Sequence, residues 1–573
     1  MAQGANIASS PASQRAGVRE RLLSVWRVLS SMPGYRKDLA VGLLYILVGL
    51  AVGRHLLGAG YPPGVDTPTF LHFAWFTEET LHGNGGWSDP YWYGGFPLFT
   101  TYPPLGYGVV GALAALPGVG LVFVYKVALF AAFIGVGYAT YFLARQMGYS
   151  RPWAALAGAL TLTSYPLLVA VGLWGWFASF ASLALALLSY GLLERAADRA
   201  SRGTAIAAGL ALGASFLTHH MTAVAMAMGL PGWFLFRYFG QAGDRTALLR
   251  LAAFFVAAAA GSTLWWIAPW LVNLLAADFQ REVPGLWSFP PAWYVRALVE
   301  RDLIGLYAYP NYLGAGLTAL GIGGILHLFV ARTRAAPYAV LLLLLALFSV
   351  GEQANPLVRI GPLTGLDVAR FQLYMTPAIA LAGLPFVATI GTALKQLVGE
   401  ARWAKRVAAV GAGVAVALLL AQVAWDTAIA SSRMFRPYRM SPEAVEMVRW
   451  FGEEGREGKV LGVGFWNWDD FFLPYYQRAP VVDGWHDEGA RNWEQVRALR
   501  MMMWTGQVDV PRAHTLLGDL DGRYIAVQDY YGGESPKKFR EALEQRPELF
   551  SEVADWGQIA VFERVSSGEH AAQ

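Results

Sequence analysis

Residues 64–107 read GVDTPTFLHFAWFTEETLHGNGGWSDPYWYGGFPLFTTYPPLGY and separate the first two long apolar segments of the chain. The stretch holds four carboxylates and two histidines, at Asp66, Glu78, Glu79, Asp89, His72 and His82. Most of its other bulky residues are aromatic. Polar side chains are costly at membrane depth, so a loop this rich in them, beside membrane-length segments, predicts a functional site at the membrane surface.

The composition sets the class of protein. Of 573 residues, 55% are hydrophobic and only 15% are charged, and the mean hydropathy is +0.38. Apolar runs of roughly 18–25 residues recur through the first three quarters, and each is long enough to cross ~30 Å of hydrocarbon. We therefore predict an α-helical polytopic membrane protein. The chain has no cysteine, which excludes disulfides, thiol chemistry and cysteine metal sites.

The basic residues orient the chain in the membrane. Six of them precede the first apolar segment, at Arg15, Arg19, Arg21, Arg27, Arg36 and Lys37. Because cytoplasmic loops carry an excess of Lys and Arg, we predict a cytoplasmic N-terminus at 1–38 and an uncleaved first span. The net charge of +4 then indicates membrane topology and not nucleic-acid binding.

The apolar pattern divides the rest of the chain into a bundle and a tail. We predict that residues 39–427 form about 11 transmembrane helices. These helices would lie in the cell membrane. Their positions are 39–57, 120–144, 153–171, 176–194, 203–218, 221–237, 251–275, 312–331, 336–350, 370–396 and 406–427. The loops 58–103 and 276–311 would then lie outside the cell. Residues 104–118 would form a short helix or re-entrant piece along the outer surface.

Residues 428–573 alternate helical and strand patterns. Helical patterns lie at 441–455, 490–504 and 535–545, and strand patterns at 459–466, 480–485, 522–531 and 556–565. This alternation predicts a C-terminal soluble α/β domain outside the membrane.

Asp66 is the strongest candidate for chemistry in the outer loop, because it follows the first span by only a few residues. A carboxylate there is well placed to act as general base on a hydroxyl that attacks C1 of a lipid-linked sugar. A phosphate leaving group needs no acid partner, so one carboxylate is sufficient for such a displacement. The alternative is structural, because Asp66 precedes Pro68 and that order is typical of a helix N-cap.

The loop pattern resembles the first outer loop of GT-C superfamily glycosyltransferases. It looks most like the bacterial and archaeal membrane proteins labelled "6-pyruvoyl-tetrahydropterin synthase-related". The matching residues are Asp66, His72, the stretch 87–99 and the YPPL motif at 102–105. The resemblance implies a multi-span bundle, a soluble tail and a polyprenyl-linked sugar donor. The pterin-synthase label gains no support from the residues, since that chemistry needs a soluble zinc–histidine site.

The tail stretch FWNWDDFFLPYYQRAPVVDGWHDEGARNW, residues 465–493, resembles the Trp-Trp-Asp-Tyr-Gly region of oligosaccharyltransferase catalytic subunits. The corresponding positions are Trp466, Trp468, Asp469, Asp470 and Asp483, although the motif itself is absent, so recognition of a glycosylation sequon is not implied. We predict that Trp468, Asp469 and Asp470 line a substrate cleft together with His72, Glu79, Asp89 and Tyr102. The alternative is that the aromatic residues form the core of the small domain.

Four further residues are candidates for holding the donor phosphate, and all lie at predicted outer ends of spans. Arg370 opens a span, and its planar guanidinium suits bidentate hydrogen bonds to phosphate. His219 and His220 lie between two spans, and Lys126 begins another. The alternatives are snorkelling for Arg370 and capping of a helix end for the histidine pair.

Together these patterns predict an inverting glycosyltransferase that uses a polyprenyl-(pyro)phosphate sugar at the outer face of the membrane. Its acceptor would be a glycan, a lipid or a protein. A divalent metal, Mg²⁺ or Mn²⁺, bound through Asp66, Asp89 and His72 is left open. The rival functions are a transporter for a lipid-linked sugar, which should show polar groups near the bilayer centre, and a non-catalytic scaffold.

Overall fold

The computed structural model describes most of the bundle and most of the tail. The described residues are 34–240, 244–275, 291–300, 312–330, 333–350, 355–356, 370–397, 421–432, 439–465, 472–484, 490, 492–529 and 534–565. The predicted outer loop 276–311 is therefore described only at 291–300, and the predicted span 406–427 only from residue 421.

The N-terminal part of the described chain is mainly helical, and besides the helices numbered here it contains a single helical turn at Leu98–Thr101. Its helices are α1 (Gly34–Gly53), α2 (Thr67–Leu81), α3 (Leu105–Ala114), α4 (Leu121–Gln146), α5 (Arg151–Leu162), α6 (Tyr165–Val169), α7 (Phe177–Arg199), α8 (Arg202–Thr218), α9 (His220–Ala227), α10 (Gly229–Gly240), α11 (Arg245–Leu275), α12 (Pro291–Glu300), α13 (Ala315–Val330), α14 (Ala336–Ser349), α15 (Phe371–Leu397) and α16 (421–432). A 3₁₀ turn (Arg54–Leu57) extends α1, and α3 is the short helix predicted before the second span.

Five of the described helices are long and apolar enough to cross a membrane, or six if one bent pair is a single span. The bent pair is α5 with α6 and its continuation, which meet at 46°. Pro166 explains the bend, because a proline cannot continue the preceding helix. The crossing predicted at 153–171 therefore corresponds to a bent pair of helices. The chain is a polytopic membrane protein, and the predicted count of eleven spans is not confirmed.

Small residues bring several helices of the bundle into close contact. A Cβ atom on Gly158 of α5 would lie 2.4 Å from the carbonyl oxygen of Gly137 of α4. A Cβ atom on Gly324 of α13 would lie 2.9 Å from the backbone of Ala382 of α15. Such contacts allow backbone packing, which is a main source of helix association in lipid.

Residues from three predicted cytoplasmic loops, two of them arginines, meet at one end of the bundle. Asp198 accepts hydrogen bonds from Arg237 at 3.0 Å and from Arg334 at 2.7 Å. Arg237 also pairs with Glu194, which is buried. The predicted basic loops therefore share one end, which we call the arginine-rich end. The opposite end carries Asp66.

The tail forms a four-stranded sheet with helices around it. Its elements are α17 (Pro442–Trp450), β1 (Lys459–Val463), α18 (Leu473–Gln477), α19 (Trp493–Thr505), α20 (Val510–Asp519), β2 (Gly522–Gln528), α21 (Glu534–Glu544), β3 (Phe550–Asp555) and β4 (Ile559–Arg564). The strand order is β1-β2-β4-β3, with β1 and β2 parallel and the other pairs antiparallel. Every predicted tail helix and all but one predicted strand correspond to one of these elements.

The predicted strand at 480–485 is the exception. Only Val481 bridges to β1, through Val460. The N–H of Val481 points away from β1 and donates to the carbonyl oxygen of Tyr91 in the outer loop, at 2.8 Å. This segment therefore contacts β1 on one edge and the outer loop on the other.

Candidate active site

Asp66 lies in a tight junction between the outer loop and the end of α6. Its N–H donates to the carbonyl oxygen of Trp174 at 2.9 Å, and the N–H of Val65 donates to Leu173 at 3.1 Å. Gly64 and Gly175 allow this approach, because a Cβ atom on Gly64 would lie 2.4 Å from the Cα atom of Gly175. Both glycines also have positive φ, at +123° and +66°. The backbone of Asp66 is therefore held by an arrangement that only glycine permits.

The side chain of Asp66 is 2% exposed and is not used as a helix cap. Asp66 occupies the N-cap position of α2, yet its carboxylate accepts no hydrogen bond from the first turn of that helix. The carboxylate acts electrostatically on the hydroxyl of Tyr125 in α4, which is also buried. Burying a carboxylate is costly in free energy, and capping does not explain why this chain does so.

Arg370 stands at the start of α15 and reaches the turn that follows Trp174. Its guanidinium carbon lies 4.2 Å from the centre of the buried Trp176 ring, and its Nη1 lies 3.5 Å from the hydroxyl of Ser179. The Trp176 ring stacks on Trp174 with 5.6 Å between centres. An arginine over an aromatic ring is attracted by the ring's negative face, so its planar fork is held in one orientation.

His219 separates α8 from α9, where the chain leaves helical geometry for one residue. Its Nδ1 accepts a hydrogen bond from the backbone N–H of Thr222 at 3.2 Å, so the predicted capping of a helix end is confirmed for this residue. A backbone amide can only donate, so a neutral His219 carries its proton on Nε2. Capping therefore places the N–H donor of the His219 imidazole at Nε2.

Arg370 and His219 are linked through hydrogen-bonded residues around α7. The hydroxyl of Thr222 lies 2.7 Å from His219 Nδ1 and 2.8 Å from the hydroxyl of Tyr374, which is one turn after Arg370 in α15. The same Thr222 hydroxyl lies 3.4 Å from the carbonyl oxygen of Ser179. The structure thus brings Asp66, Arg370 and His219 to one stretch, residues 174–179, which we call the tryptophan turn.

Lys126 stands apart from this group, and His220 adjoins it through His219, with 6.0 Å between the two ring centres. The His220 ring packs near Trp266 and Trp270 of α11, with 6.4 and 5.8 Å between centres. Trp266 in turn donates to the carbonyl oxygen of Phe99 in the outer loop at 3.0 Å. Lys126 donates to the carbonyl oxygen of Gly58 at 2.6 Å, so its ammonium holds the end of the first span.

His72 and Asp89 pair with each other inside the outer loop. Their side chains are fully buried, with 2.5 Å between His72 Nε2 and Asp89 Oδ2. The imidazole stacks on Trp92 at 4.4 Å, and the other Asp89 oxygen accepts the N–H of Tyr91 at 2.9 Å. The pair fastens the loop to α2 and does not line a cleft.

This pairing bears on the predicted metal site. Within the described ranges, no group of three or more His, Asp or Glu side chains is arranged to hold a metal ion. Asp66, Asp89 and His72 are therefore not gathered into a three-ligand site. The physical reason is that His72 and Asp89 satisfy each other, whereas Asp66 is held at the tryptophan turn.

The remaining candidates belong to the contact between tail and loop, or to the core. Glu79 accepts a hydrogen bond from Arg478 of the tail at 2.7 Å. Tyr102 is buried, with its ring 5.3 Å from Phe73, and is a packing residue. Trp468, Asp469 and Asp470, together with Trp466, lie outside the described residues.

Asp483 lies at the same contact between tail and loop. It is buried beside Arg500, with 3.4 Å between Oδ2 and the guanidinium nitrogens. Arg500 and the hydroxyl of Tyr93 both donate to the carbonyl oxygen of Gly484. Burial raises the pKa of the Asp483 carboxyl, and Arg500 acts in the opposite direction.

Four residues at the site were not predicted: Tyr125, Trp176, Ser179 and Tyr374. The sequence VGLWGWFASF, residues 171–180, carries a signal for the tryptophan turn, because a glycine between two tryptophans suits a left-handed turn. Hydropathy conceals that signal, since tryptophan and phenylalanine count as apolar and the stretch merges with the spans on either side.

Comparison with known proteins identifies the fold. No protein-family model matches the chain, and no curated protein matches it in sequence. Solved structures do match. The oligosaccharyltransferase AglB from Archaeoglobus fulgidus, in complex with an inhibitory peptide and a dolichol-phosphate, matches with a TM-score of 0.59 and 12% identity, over 94% of this chain and 75% of that one.

A mycobacterial enzyme gives a similar result. The arabinofuranosyltransferase AftD matches with a TM-score of 0.60 and 16% identity, over 94% of this chain. This chain spans 40% of the length of AftD. Both proteins are GT-C glycosyltransferases, so the chain has the GT-C fold that its outer loop predicted.

Proposed function

We propose that this protein is an inverting glycosyltransferase that takes its sugar from a polyprenyl-(pyro)phosphate donor at the outer face of the cytoplasmic membrane. The main support is the convergence of Asp66, Arg370 and His219 on the tryptophan turn, at the end of the bundle opposite the arginine-rich end. A transporter would need such groups near the bilayer centre. Collection of an acid and phosphate-binding groups at one end favours chemistry there.

The phosphate of the donor would bind between Arg370 and His219. The Arg370 fork suits two oxygens of a phosphate, and its position over Trp176 leaves less conformational entropy to lose on binding. The Nε2–H of His219 supplies a further donor, because Nδ1 is engaged by the Thr222 amide. Charge that develops on the departing phosphate oxygen is stabilised by both groups.

Transfer would proceed in one displacement. The Asp66 carboxylate accepts the proton of the acceptor hydroxyl while that oxygen forms a bond to C1 of the sugar. The bond between C1 and the phosphate oxygen breaks at the same time, and its electron pair leaves with the lipid (pyro)phosphate. The configuration at C1 is inverted, because attack and departure lie on opposite faces. No step of this proposal passes through a metal ion.

The partners follow from the same chemistry. The archaeal structure contains a dolichol-phosphate and a peptide. Of these two ligands, we propose only a lipid phosphate as a partner of this chain, because the site supplies cationic and hydrogen-bond donor groups for a phosphate. The acceptor is a glycan, lipid or protein hydroxyl that reaches Asp66.

The test is transfer by purified protein in liposomes that contain polyprenyl-phosphate hexose or pentose donors, with mass spectrometry of the products. Asp66→Asn keeps the size of the side chain and removes its charge, so we expect transfer to fall by roughly 10²-fold or more. Glu78→Gln is the matched control, because it removes another carboxylate of α2 that is only partly buried. Equal turnover by wild type and a folded Asp66→Asn protein would reject general-base catalysis.

A further inference from the structure

A lateral groove of about 550 Å³ opens between three helices of the bundle. None of the residues that line it belongs to the Asp66 site. Its walls come from the end of α1, the second half of α5, and α16. Small and aliphatic residues dominate them: Ala51, Val52, Leu156, Ala159, Leu160, Val423, Ala424 and Ala428, with Thr163, Thr427, Ser431 and Ser432 among them. The volume is typical of a ligand-binding cleft.

Hydrogen bonds between the three helices give this groove a fixed shape. The hydroxyl of Thr427 in α16 donates to the carbonyl oxygen of Thr163 at 2.9 Å, and that of Ser431 donates to Val52 at 2.6 Å. Because these hydroxyls are engaged by backbone groups, the walls offer mainly apolar surface. A groove so lined suits a hydrocarbon chain.

One end of the groove is cationic. Arg54 and His55 line this part of the groove. They lie in the 3₁₀ turn that ends the first span, at the end of the bundle that carries Asp66. Neither side chain forms an ion pair with a carboxylate in the part of the chain that the structure describes; their one side-chain contact is with each other, at 3.5 Å. Arginine at this depth normally pairs or reaches a headgroup.

We infer that the groove binds one acyl chain of an anionic membrane phospholipid, whose phosphate diester lies against Arg54 and His55. Charge complementarity and depth select this occupant, because basic pockets between transmembrane helices bind anionic headgroups. The α16 side of the groove is exposed at Ala424 and Ala428, so lipid enters from the bilayer without passing through the protein. The site is separate from the proposed reaction, and its occupant is not a substrate.

The experiment measures contact between lipid and groove directly. The chain has no cysteine, so Ala424→Cys labelled with bimane reports only on this position. The labelled protein is reconstituted in vesicles of phosphatidylcholine with increasing fractions of brominated phosphatidylglycerol, or of brominated phosphatidylcholine. We expect brominated phosphatidylglycerol to quench at about fivefold lower mole fraction, the preference that one basic side chain near the membrane surface confers. Arg54→Gln with His55→Gln should abolish that preference.

Two controls separate this result from a general attraction. A label at Val256→Cys in α11, exposed and remote from the groove, should be quenched equally by the two lipids. The unlabelled protein in detergent should gain thermal stability from phosphatidylglycerol, and the Arg54→Gln, His55→Gln variant should not.

Three outcomes would overturn the inference: equal quenching at Ala424, a preference that survives the double substitution, or the same preference at Val256. Displacement of brominated phosphatidylglycerol by equimolar polyprenyl phosphate would also reject it, by making the groove part of the substrate path. Asp66→Asn should leave every quenching curve unchanged, so the result is independent of the proposed activity.

Discussion

The guanidinium of Arg370 lies 4.2 Å from the centre of the Trp176 ring. The same turn contains Trp174, whose backbone carbonyl group accepts the N–H of Asp66. One short turn therefore positions the cation proposed to bind phosphate and the carboxylate proposed to accept the proton. A change in the turn should affect both groups together.

Substitution of Arg370 should weaken donor binding and leave the KM for the acceptor unchanged. Arg370→Lys keeps the charge but loses the fork and much of the stacking on Trp176, so the KM for the lipid-linked donor should rise. Arg370→Ala should raise it further, by roughly 10- to 150-fold, because a hydrogen bond to a charged group is worth about 1.5–3 kcal/mol. The measurement is donor KM in detergent, with Tm recorded for each variant.

Arg449→Lys, at an exposed arginine of the tail, is the control for the chemistry of the substitution. A snorkelling arginine predicts the opposite result, since lysine snorkels equally well. An unchanged donor KM in a stable Arg370→Ala protein would remove Arg370 from the site.

Tyr125 should contribute to transfer through its hydroxyl. That hydroxyl is buried, and the side chains of Asp66 and Thr67 both act on it. Tyr125→Phe keeps the ring, which packs 5.5 Å from Phe177. We expect kcat/KM for the acceptor to fall about tenfold or more, with donor KM unchanged.

The matched control for this change is Tyr107→Phe, which removes a buried hydroxyl that donates to the carbonyl oxygen of Tyr102. It should lower stability and leave acceptor kcat/KM unchanged. Equal kinetics for Tyr125→Phe and wild type would make Tyr125 a packing residue only.

Local patterns in the sequence were sufficient to predict the class of fold and part of the site. Membrane-length apolar runs, the polar loop after the first of them and the strands of the tail are properties of short windows, and the structure contains them. The break at His219 was also visible, because two histidines interrupt an apolar run. The candidates that met in space, Asp66, His219 and Arg370, each had such a signal.

Long-range contacts explain what the sequence did not show. His72 and Asp89 have side chains typical of metal ligands, but in the structure they pair with each other. The tryptophan turn was hidden because its residues are as apolar as the spans beside it. Val481 lies in a strand pattern, but its N–H is used by the carbonyl oxygen of Tyr91. The His72–Asp89 pair and the Val481 contact each depend on a partner at least ten residues away.

The contact between tail and loop should depend on pH through Asp483. Burial raises the pKa of this carboxyl above its ordinary value of 3.8. The folded protein therefore binds the proton more tightly than the unfolded chain, and the stability it contributes is lost as pH rises through the folded pKa. The Tm of Asp483→Asn relative to wild type should consequently increase as the pH is raised from 3.8.

Thermal unfolding followed by tryptophan fluorescence measures this difference. Asp519→Asn, at an exposed carboxylate of α20, is the control for loss of a negative charge. A Tm difference between Asp483→Asn and wild type that stays constant with pH would show that Asp483 does not titrate differently on folding.

The orientation of the bundle is tested by labelling single cysteines. Trp87→Cys lies in the outer loop, where the native side chain is 76% exposed, and Thr246→Cys lies at the arginine-rich end. Positive charge in the short loops predicts that this end lies in the cytoplasm. An impermeant maleimide should label Trp87→Cys in intact cells and Thr246→Cys only after permeabilisation. Labelling of Thr246→Cys from outside would invert the topology.

The tryptophan turn also has a consequence for biosynthesis. Trp176 and Arg370 lie about 200 residues apart in the chain, so at ~5–20 residues per second a ribosome adds the arginine roughly 10–40 s after the ring that receives it. During that interval α7 is already made while the Trp176 ring has no guanidinium over it. A nascent chain released early would therefore contain the acid and the aromatic turn but not the cation. Enclosure of that turn by α15 therefore marks a chain of which about two thirds has been made.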